Sequence, residues 1–213
     1  VTAAGQLVRV IRDRGSFSRH LIAASDAASP TLAQDGSGRY YLNLPNTTVT
    51  MSAAATLNIG TPSMLSVLAT LDGGAGTDIS PLMAIEFDNT NAFRLGVRPS
   101  ISAIRAFARV LSKGVAVSQI NGNTGDYVNG AIGVHHATVT SGLLARGLEA
   151  ADTYSMATPW TTETLDNATL KLGGPPPGGT VGNAFKFYGG VVALGASDVA
   201  AKANIISWLQ AKK

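Results

Sequence analysis

Glu86-Phe87-Asp88 puts two carboxylates two residues apart, and on a strand, where side chains alternate, both point to one face. Two acids flanking a scissile bond are the apparatus of glycoside hydrolysis, one giving up a proton and the other attacking or activating water. The next position in register is Thr90, and no further Glu follows until Glu149. No third acid follows in register, and the pair reads as two polar positions near a strand end. His135 and His136 are adjacent, so a strand sends them to opposite faces and they do not readily share one metal. One is expected to be buried and hydrogen-bonded, the other to face solvent. His20 is the only third imidazole, and no Gly-x-Ser-x-Gly elbow, phosphate loop or dinucleotide fingerprint occurs.

Two loops are rich in oxygen ligands, Asp72-Gly-Gly-Ala-Gly-Thr-Asp78 and Asn121-Gly-Asn-Thr-Gly-Asp126. Neither has EF-hand spacing, so no cofactor is expected and calcium is the one ion left open. Sugar recognition needs a flat aromatic for stacking and amide or carboxylate groups for hydroxyls. Asp126, Tyr127 and Asn129 in one turn-rich stretch, and Trp160 in another, are the candidate carbohydrate-binding residues. The competing reading of each is an anchor for a loop.

The elements that would position these residues are short strands. Leu65, Val67, Ala69 and Leu71 alternate within Ser63 to Leu71, and Phe93, Leu95 and Val97 alternate with Arg94, Gly96 and Arg98, each a half-buried strand pattern. Leu7 to Arg12, Arg39 to Leu44, Thr48 to Ser52, Pro81 to Phe87, Ile132 to Thr140, Gly142 to Glu149, Thr169 to Gly173 and Phe185 to Leu194 read alike. Ala103 to Leu111 mixes helix formers with Ile104, Phe107 and Val110, and its setting among strands makes it a strand. Asp35-Gly36, Asn121-Gly122 and Asn129-Gly130 mark turns between them. The chain ends differently. Ser197 is expected to cap one helix over Val199 to Lys213, with Asp198 in its first turn and Ala201, Ile205, Trp208 and Leu209 as the stripe that packs on the strands.

The 213 residues suit a single domain, and charged residues are only 14% against about a quarter in ordinary domains, so long charged faces are not expected. The formal charge of +3 is scattered; its densest cluster is Arg9, Arg12, Arg14, Arg19 and His20 around Asp13. No nucleic-acid stripe follows from it. No cysteine is present, which excludes disulfides and thiolate metal sites without fixing a compartment. No apolar run is long enough to cross a bilayer as a helix, and no membrane partner is expected.

The order of motifs resembles concanavalin A-like, laminin G-like jelly-roll domains of exported bacterial and phage structural proteins. Arg12-Asp-Arg-Gly-Ser-Phe-Ser-Arg-His20, Pro30-Thr-Leu32 and Gly38-Arg-Tyr-Tyr-Leu-Asn-Leu44 are similar to the opening of that family. Gly133-Val-His-His-Ala-Thr-Val139 is similar to its Trp-His-His-Val strand with Val134 for Trp, Leu170-Lys-Leu-Gly173 to its Leu-x-Ile-Gly strand, and Phe187-Tyr-Gly-Gly-Val191 to its closing segment. The resemblance implies an all-β, two-sheet antiparallel sandwich over residues 1–213 with a C-terminal helix. Glucanases of this fold carry Glu-x-Asp-x-Glu, which Thr90 breaks, so the resemblance implies a non-catalytic module. Its expected setting is a virion surface or the extracellular space, as a tail-fibre or capsid-decorating component engaging a glycan or other virion proteins in a homo-oligomer or larger assembly. A stand-alone exported bacterial lectin and a glucanase-like hydrolase are the alternatives. The family also begins with a strand ahead of a segment like Gln6 to Arg12, so either a neighbour pairs with the edge left open or the chain is the C-terminal part of a longer one.

Overall fold

The computed structural model describes residues 3–15, 19–45, 49–53, 57–59, 62–71, 80–87, 91–100, 103–112, 115–121, 130–158, 165–175 and 184–213. The first half of the chain supplies β1 (Val10–Ile11), β2 (Leu21–Ile22), β3 (Thr31–Gln34), β4 (Tyr40–Leu44), β5 (Thr50–Ala53), β6 (Leu57–Ile59), β7 (Ser63–Leu71), β8 (Ser80–Glu86) and β9 (Ala92–Ser100). The second half supplies β10 (Ala103–Ser112), β11 (Val115–Asn121), β12 (Ile132–Thr140), β13 (Leu143–Leu148), β14 (Ala151–Ala157), β15 (Leu165–Gly173) and β16 (Phe185–Leu194), then α1 (Ala196–Ala200) and α2 (Lys202–Gln210).

The strands form two antiparallel sheets. One runs β1-β2-β5-β15-β8-β9-β10-β11, with β6 also pairing β15; the other runs β14-β13-β12-β7-β16-β4-β3. Strands close in sequence pair as hairpins, while β5 with β15 and β4 with β16 join the two ends of the chain, Ser52 opposite Lys171 and Leu44 opposite Phe185. The alternation read from the sequence sets which side chains meet. Leu65, Val67 and Ala69 of β7 face Met83, Ile85, Phe93 and Leu95 of the opposite sheet, and this apolar layer is the larger core.

The all-β sandwich is as the sequence predicts, including β10, where setting overrides helix propensity. Two strand readings change. β7 is buried on both faces rather than half-buried, because Met64 and Leu68 on its outer side lie under α2, with Val134, Ala193, Ile206 and Leu209. β9 is likewise buried on both faces from Ala92 to Val97, for the reason given below for Arg94. β11 and β14 carry no clear alternation, and β14 is an exposed edge strand that needs none.

The C-terminal helix also differs. It is two pieces meeting at Ala201, and Ser197 lies within α1; the N-cap is Gly195, at φ 92°, with no side-chain cap. Asp198 does occupy the first turn. The buried positions of α2 are Ile206 and Leu209, whereas Trp208 is 52% exposed with Lys212 Nζ 4.3 Å from its ring centre. α2 is tied down at its far end by Glu149, which sits at φ 58° in the β13–β14 turn. Its carboxylate accepts from the Val134 N–H (3.2 Å), from Gln210 Nε2 (2.8 Å) and from Lys213 Nζ. Burial alone would raise the Glu149 pKa, but these donors hold it below the usual range.

Candidate functional site

The β3–β4 turn builds its own scaffold. Asp35 Oδ1 accepts from the backbone N–H of Ser37 (2.9 Å) and Arg39 (3.0 Å), Oδ2 accepts from Arg39 Nε (2.8 Å), and Gln34 Nε2 donates to the Gly38 carbonyl (2.7 Å). Gly38 has φ +81°, a conformation that costs a side-chain-bearing residue and suits glycine. The outward alternation of β4 then places Tyr41 on the outer face of its sheet. Next to it, β16 supplies Lys186 and Tyr188.

The two tyrosine rings lie 5.4 Å apart at 43°. Arg39 stands 5.8 Å from the centre of Tyr188, and Lys186 Nζ 5.6 Å from that of Tyr41. The Tyr188 hydroxyl donates to Asp35 Oδ2 at 3.3 Å. Burial is the largest influence on Asp35 and would raise its pKa, yet the Arg39 and Ser37 amides and the Arg39 guanidinium hold it below the ordinary carboxylate value. Burial, with the Asp35 charge beside it, raises the Tyr188 pKa, so the phenol stays a donor. Asp35, Arg39, Lys186 and Tyr188, with Thr70, Gly130 and Ile132, line a pocket of about 220 Å³, and Tyr41 stands beside it against Tyr188. That is smaller than the roughly 300–1,000 Å³ of drug-sized pockets, and it suits one ring of a larger molecule whose remainder stays in solvent. An aromatic pair, an anionic acceptor and cationic donors on one open face are the groups that sugar recognition uses.

Of the residues singled out from the sequence, Asp126, Tyr127, Asn129 and Trp160 lie outside the described residues. So do Asp72 and Asp78 of the first oxygen-rich loop, and among the described residues no cluster of three or more metal-ligating side chains occurs. Tyr41 and Tyr188 were not singled out, because each reads as one more strand residue; only the pairing of β4 with β16 brings them together. The available signal was the aromatic pair next to the Asp35-Gly36 turn.

Glu86 and the histidines prove to be interior groups. Glu86 is 4% exposed, and each of its oxygens meets a cation, Oε1 with Arg94 Nε at 2.6 Å and Oε2 with Lys171 Nζ at 2.9 Å. Its partner in the sequence motif, Asp88, is outside the described residues. Arg94 belongs to a polar row of cross-strand neighbours on the outer face of its sheet, Lys171, Ala84, Arg94, Arg109 and Gln119. The expectation that one of the adjacent histidines faces solvent is corrected, since both are fully buried. His135 points into the inter-sheet layer, in register with Val67. His136 points outward but is covered by β13, which bulges between Arg146 and Gly147; a Cβ at Gly147 would collide with the His136 ring and the Ala151 carbonyl. Burial, reinforced by Arg146, lowers the His135 pKa to about 3; burial, reinforced by Lys202, lowers that of His136 to about 4.

No protein-family model and no curated protein matches the chain in sequence. Its architecture does match solved structures. The binding domain of botulinum neurotoxin serotype G superposes with a TM-score of 0.61 at 8% identity over 96% of this chain and 51% of that one. The Bacteroides ovatus xyloglucan PUL GH43B gives 0.51 at 11% identity over 91% of this chain and 41% of that one. The chain has the concanavalin A-like jelly-roll fold. This jelly roll thus spans about half the length of those two proteins or less, and at such identities the likeness is one of backbone path alone. Within the jelly roll, the tyrosine pocket sits on the outer face of the sheet that carries the terminal helix, beside the area the helix covers.

Proposed function

We propose that this jelly roll is a non-catalytic glycan-binding module whose binding face is the Tyr41–Tyr188 pair with the pocket beside it. The observation that carries the reading is the assembly on one face of two tyrosine rings, a carboxylate fixed in its anionic form, and two cations. A sugar ring would stack on a tyrosine face while its hydroxyls take hydrogen bonds from Arg39 and Lys186 and give one to Asp35. The xyloglucan protein among the structural neighbours is in keeping with this reading. The low charge and abundant small residues suit close packing in an assembly, and with the motif order they support placement outside the cell or on a virion surface. Glu86 has both oxygens engaged by cations, which is the bonding of a structural carboxylate and favours binding without turnover.

The test is a broad glycan array followed by titration of the best sugar. Tyr41→Ala and Tyr188→Ala should each weaken binding about tenfold, in line with roughly 1–3 kcal/mol for a stacking aromatic, while Trp208→Ala on the helix should leave it unchanged. A clean array, or equal affinity in all three variants, rejects the pocket as a sugar site.

A further inference from the structure

β16 is paired unequally on its two sides. Along β7 it is in register from Phe185 to Leu194, but β4 matches it only from Phe185 to Phe187. Between Phe187 and Gly189 the ladder shifts at a bulge, which bends the strand away from β4. From Gly189 to Leu194 the side of β16 away from β7 pairs with no strand among the described residues. In an antiparallel ladder every second residue turns both its N–H and its C=O away from a given neighbour, so this stretch offers alternate donors and acceptors over roughly 20 Å. It lies in the middle of a sheet, where such groups are ordinarily satisfied.

The unpaired edge opens onto a cleft of about 810 Å³ between the two sheets. Inward-pointing Val192 and Leu194 line it and only partly reach the core, with Val8 and Leu32 across from them. Tyr40, 50% exposed, and Trp208 stand at its mouth. The remaining rim is the segment after β1. Arg12 and Arg14 are exposed there and Arg19 lies behind them; Asp13, between the two, spends its carboxylate on the backbone N–H groups of Gly15 (2.7 Å) and Arg19 (2.9 Å). Among the described residues Asp198 is the one other acid lining the cleft, and with Arg12, Arg14 and Arg19 the rim there is net positive.

We infer that this cleft is a strand-addition site: an extended segment of a partner polypeptide, apolar at alternate positions and acidic where it passes Arg12 and Arg14, pairs its backbone with β16 from Gly189 to Leu194. The unmet backbone groups call for another main chain rather than a sugar or lipid, the period-two apolar wall calls for alternating side chains, and the guanidinium rim sets the charge. The cleft adjoins the tyrosine site, with Tyr41 and Tyr188 in its lining, but its test reads backbone pairing along β16 and so fails or succeeds apart from glycan binding.

The probe is a seven-residue peptide, Val-Thr-Val-Thr-Val-Asp-Asp, blocked at both ends. Titration should show saturable binding that falls at least tenfold when alternate peptide nitrogens are methylated, and several-fold in Arg12→Glu/Arg14→Glu, whose exposed side chains leave the fold intact. Hydrogen exchange should slow at least tenfold at alternate amides between Gly189 and Leu194 and nowhere in β13 or β14. Absence of saturable binding, or binding indifferent to methylation, overturns the proposal. So does full protection of those amides in the free chain, or sedimentation as a dimer that dissociates as they become exchangeable, since a second copy would then be the occupant.

Discussion

At the scale of single residues, the histidine pair shows how burial fixes a charge state. Both imidazoles are neutral in the folded chain because their surroundings disfavour the cation, His135 down to about 3 and His136 to about 4. An unfolded histidine takes a proton near 6.5. Stability from this difference is complete above that value and is lost as pH falls from about 6.5 towards 4, because only the unfolded chain gains protons there. Below 6.5 each histidine's slope approaches about 1.4 kcal/mol per pH unit, so the two together lose about 3 kcal/mol between pH 6.5 and 5. The lowered carboxylates, Asp35 and Glu149, have the same sign but act below their ordinary range, near 4, and leave this window to the histidines. Chemical denaturation at intervals from pH 7.5 to 5 should give this decline, and His136→Gln should roughly halve its slope. A flat profile over that interval would show that both imidazoles are charged, or solvated, in the native state.

At the scale of elements, period-two alternation made most strands legible because one-sided burial writes itself into the chain. It understated β7 and β9, whose outer positions are small or paired for particular reasons: Ser66 and Thr70 alternate with Met64 and Leu68 under a helix, and Arg94 is held by Glu86. No local pattern announces that a polar residue has a buried partner on the next strand. The helix stripe held at Leu209 and in part at Ile205 but failed at Trp208 for a related reason, since Ile205, Ile206, Trp208 and Leu209 offer several helical faces and only docking decides among them. Leu209 is fully buried against Met64, Leu68 and Val134, while Trp208 is half-exposed. Leu209→Ala should cost about 2–5 kcal/mol in urea unfolding. Trp208→Ala should cost less than about 1 kcal/mol, as expected of an exposed position. The reverse order would mean that α2 docks through Trp208 rather than Leu209.

At the scale of the whole molecule, the candidate site was illegible because its parts come from opposite ends of the chain. Tyr41 and Asp35 meet Tyr188 and Lys186 only after β4 has paired with β16, and the sequence carries no mark of that register beyond apolar alternation on both strands. The same weaving governs folding. β16 lies between β7 and β4, and β15 between β5 and β8, so the last strands made are central ones in both sheets. Long-range pairing of this kind puts refolding in the range of milliseconds to seconds, slower than a helical protein of equal stability. It also makes the C-terminal strands indispensable. A chain ending at Pro175 would lose β16 and both helices, leaving β7 with one partner and β3–β4 cut off from their sheet, and stripping the cover from Met64, Leu68 and Val134. Such a chain should show no cooperative thermal transition by near-ultraviolet circular dichroism, whereas the full chain should unfold in one step common to the near- and far-ultraviolet signals. If the truncated chain melted cooperatively, the sheet formed around β7 would have to be stable without its central strand, and the strand order that builds the tyrosine pocket and the open edge would lose its support.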